Sequence, residues 1–270
     1  MTLTKTHQPP KTEPQSNNLF NLYGLTAMIS GGTTGIGLAI AKTLAANGAH
    51  TALIGRETTP EARTFTATMK NRKKLALALA ADLRDEEEIQ RARDLTLNNV
   101  GPVDILINCA GSYPRIAWDD LNNDQWYEAM ETNLNLHFKL IKATTGHMRA
   151  QRWGRIINIG SINARIGRPD LTAYATAKAG LEGFTRSLAR ELGPEGITAN
   201  CVSPGAIAVD TENDLPTHHR TAPEIQIARQ CSPRRGQPED IAAAVAFLAS
   251  PATDFITAQT LHVDGGWLPT

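Results

Sequence analysis

Short apolar runs alternate with longer helical patterns through almost all of this 270-residue chain. The apolar runs predict strands at residues 27–30, 51–54, 75–80, 103–107, 155–160, 197–202 and 260–263. The segments between them predict helices at residues 35–47, 60–71, 85–98, 124–149, 174–192 and 238–249. Continuously apolar strands separated by helices are typical of a parallel sheet covered on both faces. The pattern therefore predicts an α/β fold, a doubly wound domain with seven mainly parallel strands.

Two segments depart from this alternation. Residues 1–18 are rich in Thr, Pro, Gln, Asn and Lys, so we expect a disordered tail ahead of one catalytic domain at residues 19–270. Residues 206–236 are polar, contain proline and show little periodicity. Because a long irregular stretch in a compact domain is usually functional, we interpret residues 206–236 as a substrate loop or lid.

Charge and cysteine content restrict the function classes. The formal net charge is zero, so no overall charge favours binding to nucleic acid or to an anionic membrane. No apolar run approaches the ~20 residues of a membrane helix. The sequence has 3 cysteines and no CxxC spacing, which predicts reduced, packed side chains in a cytoplasmic protein.

The first predicted strand runs directly into a glycine-rich turn, Ser30-Gly31-Gly32-Thr33-Thr34-Gly35-Ile36-Gly37. Glycines between a strand and a helix let backbone N–H groups approach a pyrophosphate. The G-x-x-x-G-x-G spacing differs from the commonest G-x-G-x-x-G pattern, and a purely structural turn is the alternative. The position after the first strand favours a dinucleotide site.

The end of the second strand bears on the choice of cofactor. It reads Ile54-Gly55-Arg56, with no carboxylate before Glu57. An acidic residue here would bind the ribose 2′-hydroxyl of NAD(H), whereas an arginine accommodates the 2′-phosphate of NADP(H). Arg56 therefore favours NADP(H) over NAD(H), unless it is only a solvated loop charge.

Tyr174 and Lys178 lie one helical turn apart at the start of a helical pattern. Lys178 lies on the same stripe as apolar positions such as Leu181, where a lysine without a partner is costly to bury. An ammonium beside a phenol would lower the phenol's pKa from its usual value of roughly 10. The alternative is a lysine on an ordinary helix that extends its ammonium group into solvent.

These motifs together resemble the short-chain dehydrogenase/reductase family, in its compact single-domain branch with a Rossmann-type sheet. The likeness covers residues 23–268 and keeps the family's order and distances. The matching residues are Gly31, Gly35, Ile36, Gly37, Asp82, Leu83, Asn108, Cys109, Ala110, Gly111, Asn133, Ser161, Tyr174, Lys178, Asn200, Pro204 and Gly205.

The resemblance implies a reversible hydride transfer between NADP(H) and a ketone or secondary alcohol. Ser161 would hydrogen-bond the substrate oxygen and Tyr174 would act as the general acid/base. Lys178 would lower the tyrosine pKa and bind the nicotinamide ribose. Asn133 would lie in a distorted helix that holds a water molecule near the lysine.

The resemblance also implies further cofactor contacts. Asp82 would accept the adenine amino group and Leu83 would cover the ring, although Asp82 or Asp85 could instead cap the next helix. The expected cofactor-binding residues are Gly31, Thr33, Thr34, Gly35, Ile36, Gly37, Arg56, Asp82, Leu83, Asn108, Ala110, Gly111, Tyr174, Lys178, Pro204, Gly205 and Ile207. The sequence departs from the family at Ser30 and at Val209, where threonine is common, and Thr211 could replace the second hydroxyl.

The substrate is expected to be a small carbonyl or alcohol that meets Ser161, Tyr174 and Asn163. The sequence leaves its identity open. One alternative is a catalytically silent nucleotide-binding regulator on the same fold. Others are an NAD-preferring sugar or polyol dehydrogenase and a sugar-nucleotide epimerase.

The sequence predicts no metal site, and the resemblance implies a homotetramer or a homodimer. His218 and His219 are adjacent in a polar loop without further ligands at metal-site spacing. The subunit contacts would use the helices from residues 124 and 174 and the region at residues 263–268.

Overall fold

The structure, a computed structural model, describes residues 19–72, 74–210, 212 and 220–269. The predicted tail at residues 1–18 therefore lies outside the described residues. The strands are β1 (Thr26–Ser30), β2 (His50–Gly55), β3 (Ala76–Ala80), β4 (Ile105–Asn108), β5 (Gly154–Ile159), β6 (Ile197–Pro204) and β7 (Thr260–Val263). They form a 7-stranded sheet in the order β3-β2-β1-β4-β5-β6-β7. Every neighbouring pair is parallel, which confirms the predicted α/β fold.

Helices connect these strands and cover both faces of the sheet. They are α1 (Gly35–Ala46), α2 (Pro60–Asn71), α3 (Glu86–Asn99), α4 (Asn123–Met130), α5 (Leu136–Gln151), α6 (Asn163–Ile166), α7 (Thr172–Leu192), α8 (Pro223–Ile227) and α9 (Pro238–Ala249). Helix α3 begins after Asp85, whose side chain accepts from the Glu87 N–H at 2.8 Å. Asp85, and not Asp82, is therefore the cap of this helix.

Adjacent residues of one strand face opposite layers of the core. On β1, Ile29 packs with α1 and α9, whereas Met28 packs with α3, α5 and α7. Both side chains are fully buried. Apolar residues on both faces of one strand explain why the strands read as continuous apolar runs.

The predicted helix at residues 124–149 is interrupted in the structure. Helix α4 ends at Met130, a π-helical turn spans Glu131–Asn135, and α5 follows from Leu136. Apolar periodicity predicts the helical segment but does not show where a turn gains a residue. The interruption surrounds Asn133, where the family resemblance implies a distortion.

The segment at residues 206–236 has more structure than the predicted loop. It contains α8 and a bridge between Ile207 and Gly236. Residues 211 and 213–219 lie outside the described residues. Thr211, His218 and His219 are among them.

No helix among the described residues is both long and apolar enough to cross a membrane. The three cysteines form no disulfide: Cys201 is buried, Cys109 is partly buried, and Cys231 is exposed rather than packed as predicted.

Candidate active site

The predicted site residues meet along the carboxyl edge of the sheet. The segments that follow β1, β4, β5 and β6 line one cleft of about 590 Å³. Its walls include Ile36, Gly111, Ser161, Asn163, Tyr174, Lys178, Pro204, Gly205 and Ile207. β1 lies between β2 and β4, so the chain reverses its direction of winding here. Ligands of open α/β sheets bind at such a switch point.

Close approach of two backbones explains the first glycine of the turn. Gly31 has φ +65°, and a Cβ at this position would lie 2.9 Å from the Ala110 backbone. The Ser30 hydroxyl oxygen accepts from the N–H groups of Cys109 and Ala110 at 3.1 and 3.2 Å. Ser30 therefore supports the turn, as expected for either hydroxyl at this position.

The amino end of α1 offers hydrogen-bond donors. Thr34, the cap residue, makes no side-chain cap bond, and the first turn carries no acidic residue. Gly37 allows the tight turn, since its Cβ would lie 2.1 Å from the Gly31 carbonyl oxygen. Free N–H groups at a helix start favour an anion, so this turn fits a dinucleotide pyrophosphate.

Arg56 is exposed just beyond the end of β2, near Asp82. The Asp82 carboxylate bonds the Arg84 guanidinium at 2.6 Å. This bond, assisted by the charges of Arg84 and Arg56, lowers the pKa of Asp82 to about 2. Arg84 is engaged by Asp82 and lies 3.8 Å from Glu128, whereas the exposed guanidinium of Arg56 fits a ribose 2′-phosphate. Leu83 is only 5% exposed and packs into the core beside α3.

The Ser161 hydroxyl faces the Tyr174 phenol closely enough to lower the pKa of the phenol. The N–H of Asn163 donates to the Ser161 hydroxyl oxygen at 3.2 Å. This contact leaves the Ser161 proton to donate toward the phenol oxygen. A serine just beyond β5 thus lies beside a tyrosine from α7.

Burial raises the pKa of Tyr174 to about 12, and the hydrogen bond from Ser161 opposes this shift. The expectation that Lys178 would bring the phenol below its ordinary pKa is therefore wrong here. The removal of water from around the phenol disfavours the phenolate more than the Ser161 hydroxyl favours it. The Tyr174 phenol is therefore protonated at physiological pH.

Lys178 is 3% exposed, and its ammonium donates to the Ile159 carbonyl oxygen at 2.8 Å. Its Nζ atom lies 5.9 Å from the centre of the Tyr174 ring. Burial lowers the pKa of Lys178 to about 8. The lysine is therefore held inside the site and does not extend to solvent.

Asn133 is fully buried in the π-helical turn. Its amide donates to the carbonyl oxygens of Ser112 and Ala129 at 2.9 and 3.0 Å, and its oxygen accepts from the Ser112 N–H at 3.2 Å. A Cβ on Gly111 would lie 2.8 Å from Asn133 Oδ1 and 3.6 Å from Lys178 Nζ. Gly111 therefore allows Asn133 and Lys178 to converge.

Asn108 connects strands within the sheet. Its amide donates to Asn158 Oδ1 at 2.8 Å, and the Asn158 amide donates to Thr185 Oγ1 at 2.8 Å. All three residues are buried, so this chain ties β4 and β5 to α7. The sequence reasoning gave Asn158 and Thr185 no role. Polar residues inside apolar patterns are the signal that could have found them.

The nicotinamide end of the predicted site follows β6. Gly205 passes close to Asp264, whose Cα would lie 2.6 Å from an added Cβ. The carbonyl oxygen of Ile207 accepts from Arg235 at 2.9 Å, so this acceptor is already engaged. Val209 Cγ1 would lie 3.6 Å from a Cβ on Gly35, which places Val209 beside the glycine-rich turn.

A second group of residues missed by sequence reasoning carries charge or buried polarity. His137 is fully buried, and neither of its ring nitrogens has a hydrogen-bond partner among the described residues. Arg115, Arg168 and Arg229 line the cleft. Among the described residues, no cluster of three or more His, Cys, Asp or Glu side chains could hold a metal ion.

The sequence model of the family described as enoyl-(acyl carrier protein) reductase matches residues 31–268. The 3-oxoacyl-(acyl-carrier-protein) reductase FabG of Vibrio cholerae is 40% identical over 246 residues, which cover 91% of this chain and 98% of that protein. The Escherichia coli FabG is 39% identical, with the same two coverages of 91% and 98%.

Solved structures give the same result for the fold. A metagenomic blue fluorescent protein in complex with NADPH has a TM-score of 0.82 and 37% identity, covering 92% of this chain and 100% of that one. A Burkholderia cenocepacia gluconate 5-dehydrogenase in complex with NADP and tartrate has a TM-score of 0.84 and 32% identity, covering 92% and 97%. A short-chain dehydrogenase/reductase of Serratia marcescens has a TM-score of 0.82 and 33% identity, covering 91% and 98%.

Proposed function

This chain belongs to the short-chain dehydrogenase/reductase family and is an NADP(H)-dependent ketoreductase, and we propose that the residues around Tyr174 carry its reaction. The observation that carries this proposal is that Ser161, Tyr174 and Lys178 line one cleft, with Ser161 close enough to act on the Tyr174 phenol. A ketone oxygen placed between these two hydroxyls would receive one hydrogen bond and one proton.

Tyr174 is the general acid of ketone reduction. Because burial raises its pKa to about 12, its hydroxyl is protonated at neutral pH. Ser161, held by the Asn163 N–H, orients the substrate oxygen toward it. Asn163 contributes its backbone to this arrangement, and its side chain borders the substrate space.

Lys178 and Asn133 support this proton donor from the inner side of the cleft. Lys178 holds a positive charge 5.9 Å from the centre of the Tyr174 ring, and in this proposal it also binds a hydroxyl of the nicotinamide ribose. Asn133 fixes the loop at Ser112 and keeps the π-helical turn in place. Such positioned acid–base groups typically contribute ~10²–10⁴ in rate.

NADP(H), when bound, supplies the hydride for reduction or accepts it for oxidation. The glycine-rich turn would hold its pyrophosphate and Arg56 its 2′-phosphate, while the segment at Pro204, Gly205 and Ile207 would border the nicotinamide. The remaining cofactor contacts proposed are those of Thr33, Thr34, Ile36, Asp82, Leu83, Asn108, Ala110 and Gly111. For Asn108 and Leu83, which are buried, packing beneath the cofactor is the role that burial supports.

The experiment is a substrate panel of ketones, oxoacyl thioesters and sugars, with oxidation of NADPH and of NADH measured separately. We expect reduction of at least one ketone class with a preference for NADPH. A folded protein that binds NADPH and turns over no member of the panel would instead favour the silent nucleotide-binding protein. A preference for NADH would contradict the role given to Arg56.

We further propose that the protein works in the cytoplasm as a homotetramer, with a homodimer as the alternative. An exposed aromatic pair supports self-association: Phe138 on α5 is 50% exposed, and its ring meets Phe184 of α7 edge-on at 6.3 Å. Apolar side chains grouped on the surface mark contact sites. Three free cysteines agree with a reducing compartment.

A further inference from the structure

Three arginines come together on the substrate side of the cleft. Arg115 follows β4, Arg168 lies between α6 and α7, and Arg229 follows α8. All three line the same cleft as Tyr174. The loops of the first two are joined, because the Ile116 N–H donates to the Asp170 carbonyl oxygen at 2.8 Å. These three residues are called the arginine cluster below.

The charges of the cluster repel one another. Burial, together with the positive charges of Arg115 and Arg229, lowers the pKa of Arg168, and Asp170 opposes this shift. Like charges held together in a partly dry cleft cost free energy unless an opposite charge joins them.

The nearby acid is engaged elsewhere. Glu212 also lines the cleft, but it bonds Arg235 at 2.6 and 2.8 Å. Arg168 donates to the Thr221 hydroxyl at 2.5 Å, and Arg229 lies 5.7 Å from the centre of the Trp267 ring. The buried Nε of Arg115 has no hydrogen-bond partner among the described residues. Donors and charge are therefore left for a ligand.

Tyr113 links the cluster to the reacting position. Its ring lies 6.0 Å from that of Tyr174, and Tyr113 lines the same cleft as Arg115. One substrate molecule that runs past Tyr113 would thus place an anionic group at the arginine cluster and its carbonyl group at Tyr174. The cluster lies after β4, β5 and β6, whereas Arg56 lies after β2, so the two positive regions are separate.

We propose that the natural substrate carries an anionic group, a carboxylate or a phosphate, which the arginine cluster binds while the carbonyl meets Ser161 and Tyr174. Guanidinium groups match both anions with paired, charge-assisted hydrogen bonds. The inference rests on the proposed ketoreductase function and specifies its substrate class as an oxo acid or an oxoacyl group with a phosphate-bearing carrier. Neutral ketones of the same length would be poor substrates.

The test compares kcat/KM for charged and neutral partners with NADPH. One arm uses straight-chain oxo acids of increasing length and their methyl esters. The other uses 3-oxobutyryl-coenzyme A and the 3-oxobutyryl thioester of N-acetylcysteamine, which lacks phosphate. We expect the charged member of at least one arm to be favoured by roughly tenfold or more, which is the effect of a charge-assisted bond. The arm that shows the preference identifies the anion.

Arg168→Gln and Arg229→Gln should each reduce this charged-to-neutral ratio by roughly tenfold, whereas Arg168→Lys should restore part of it. Because it is a ratio of two activities of the same variant, the charged-to-neutral ratio corrects for a general loss of activity. If Arg168→Gln does not fold, the result for Arg229→Gln decides whether the arginine cluster binds the anion. Arg190→Gln, exposed in the last turn of α7, is the matched control and should leave the ratio unchanged.

Equal rates for charged and neutral partners, or a ratio unaffected by both glutamine variants, would overturn the inference and leave the ketoreductase function standing. Absence of any NADPH- or NADH-dependent turnover, with esters as well as acids, would overturn both. Titration calorimetry of the oxo acids into the NADP complex gives an independent readout, in which Arg229→Gln should weaken binding.

Discussion

The ammonium nitrogen of Lys178 lies 5.9 Å from the centre of the Tyr174 ring. The lysine donates to the Ile159 carbonyl oxygen at 2.8 Å instead of bonding the phenol. Ser161, and not Lys178, is the neighbour that lowers the pKa of the Tyr174 phenol. This division of roles gives each residue a separate experimental signature.

Replacing the phenol hydroxyl tests the proton donor. We expect Tyr174→Phe to lower kcat for ketone reduction by ~10²–10⁴, since the general acid is lost. NADPH binding should change little because the ring and its packing remain. It is measured by a titration that records the fluorescence of the nucleotide. Undiminished kcat in this variant would remove Tyr174 from the mechanism.

Arg56→Glu tests cofactor choice. A carboxylate in place of this exposed guanidinium would repel a 2′-phosphate and accept a ribose hydroxyl instead. We expect the NADPH-to-NADH ratio of kcat/KM to fall by roughly tenfold or more. Lys70→Glu, an equal charge change on the exposed face of α2, is the control. If both variants shift the ratio equally, general charge and not Arg56 selects the cofactor.

Lys178→Met should separate activity from stability. Burial lowers the pKa of Lys178 from 10.5 to about 8, so the charged lysine destabilises the folded state at pH 7. We expect the methionine variant to lose activity. Its free energy of unfolding at pH 7 should be higher than that of the wild type by up to about 3 kcal/mol.

The pH dependence of that difference follows from the same pKa values. The destabilisation is fully present below about pH 8 and disappears as the pH rises toward 10.5, because the unfolded lysine then also loses its proton. Urea unfolding at pH 7 and pH 10 measures both values. A variant that is less stable than the wild type at pH 7 would show that the bond to Ile159 outweighs the desolvation.

His137 should make the protein sensitive to acid. Burial and the charge of Lys178 hold the pKa of His137 well below 6.5, so the folded state keeps it neutral. Below about pH 6.5 the unfolded state binds a proton that the folded state refuses, and stability falls as the pH falls. His137→Leu should remove this part of the loss between pH 7.5 and pH 5, measured by urea unfolding. Identical losses in both proteins would assign acid sensitivity to other groups.

Phe138→Glu tests the proposed assembly. A charge in an apolar contact between subunits is unpaired and costly, so we expect a smaller particle by sedimentation analysis. Phe255→Glu is the matched control, because Phe255 is fully exposed on a different surface. If Phe138→Glu leaves the particle size unchanged, α5 does not form the contact.

The alternation of apolar runs and helical patterns was enough to predict the sheet, because each parallel strand is buried on both faces. The seventh strand was predicted with its observed limits, Thr260–Val263. At other strands the predicted ends differ from the observed ends by one or two residues, as at β4. Apolar periodicity weakens there, and the adjoining turns determine where a strand ends. The π-helical turn could not be predicted from the spacing of apolar residues. An extra residue in one turn leaves the apolar spacing within the helix on either side unchanged.

The sequence by itself determined the reaction class, because the glycine-rich turn, Ser161 and the Tyr174–Lys178 pair keep family order and spacing. Local chemistry fixes such motifs, so they can be read along the chain. Only the tertiary structure decided the pKa of Tyr174, which depends on how much water the surrounding elements exclude. It also decided that Arg115, Arg168 and Arg229, which come from three separate loops, face one cleft. Long-range folding brings those charges together, and charges far apart in sequence interact only through the distances that the fold imposes.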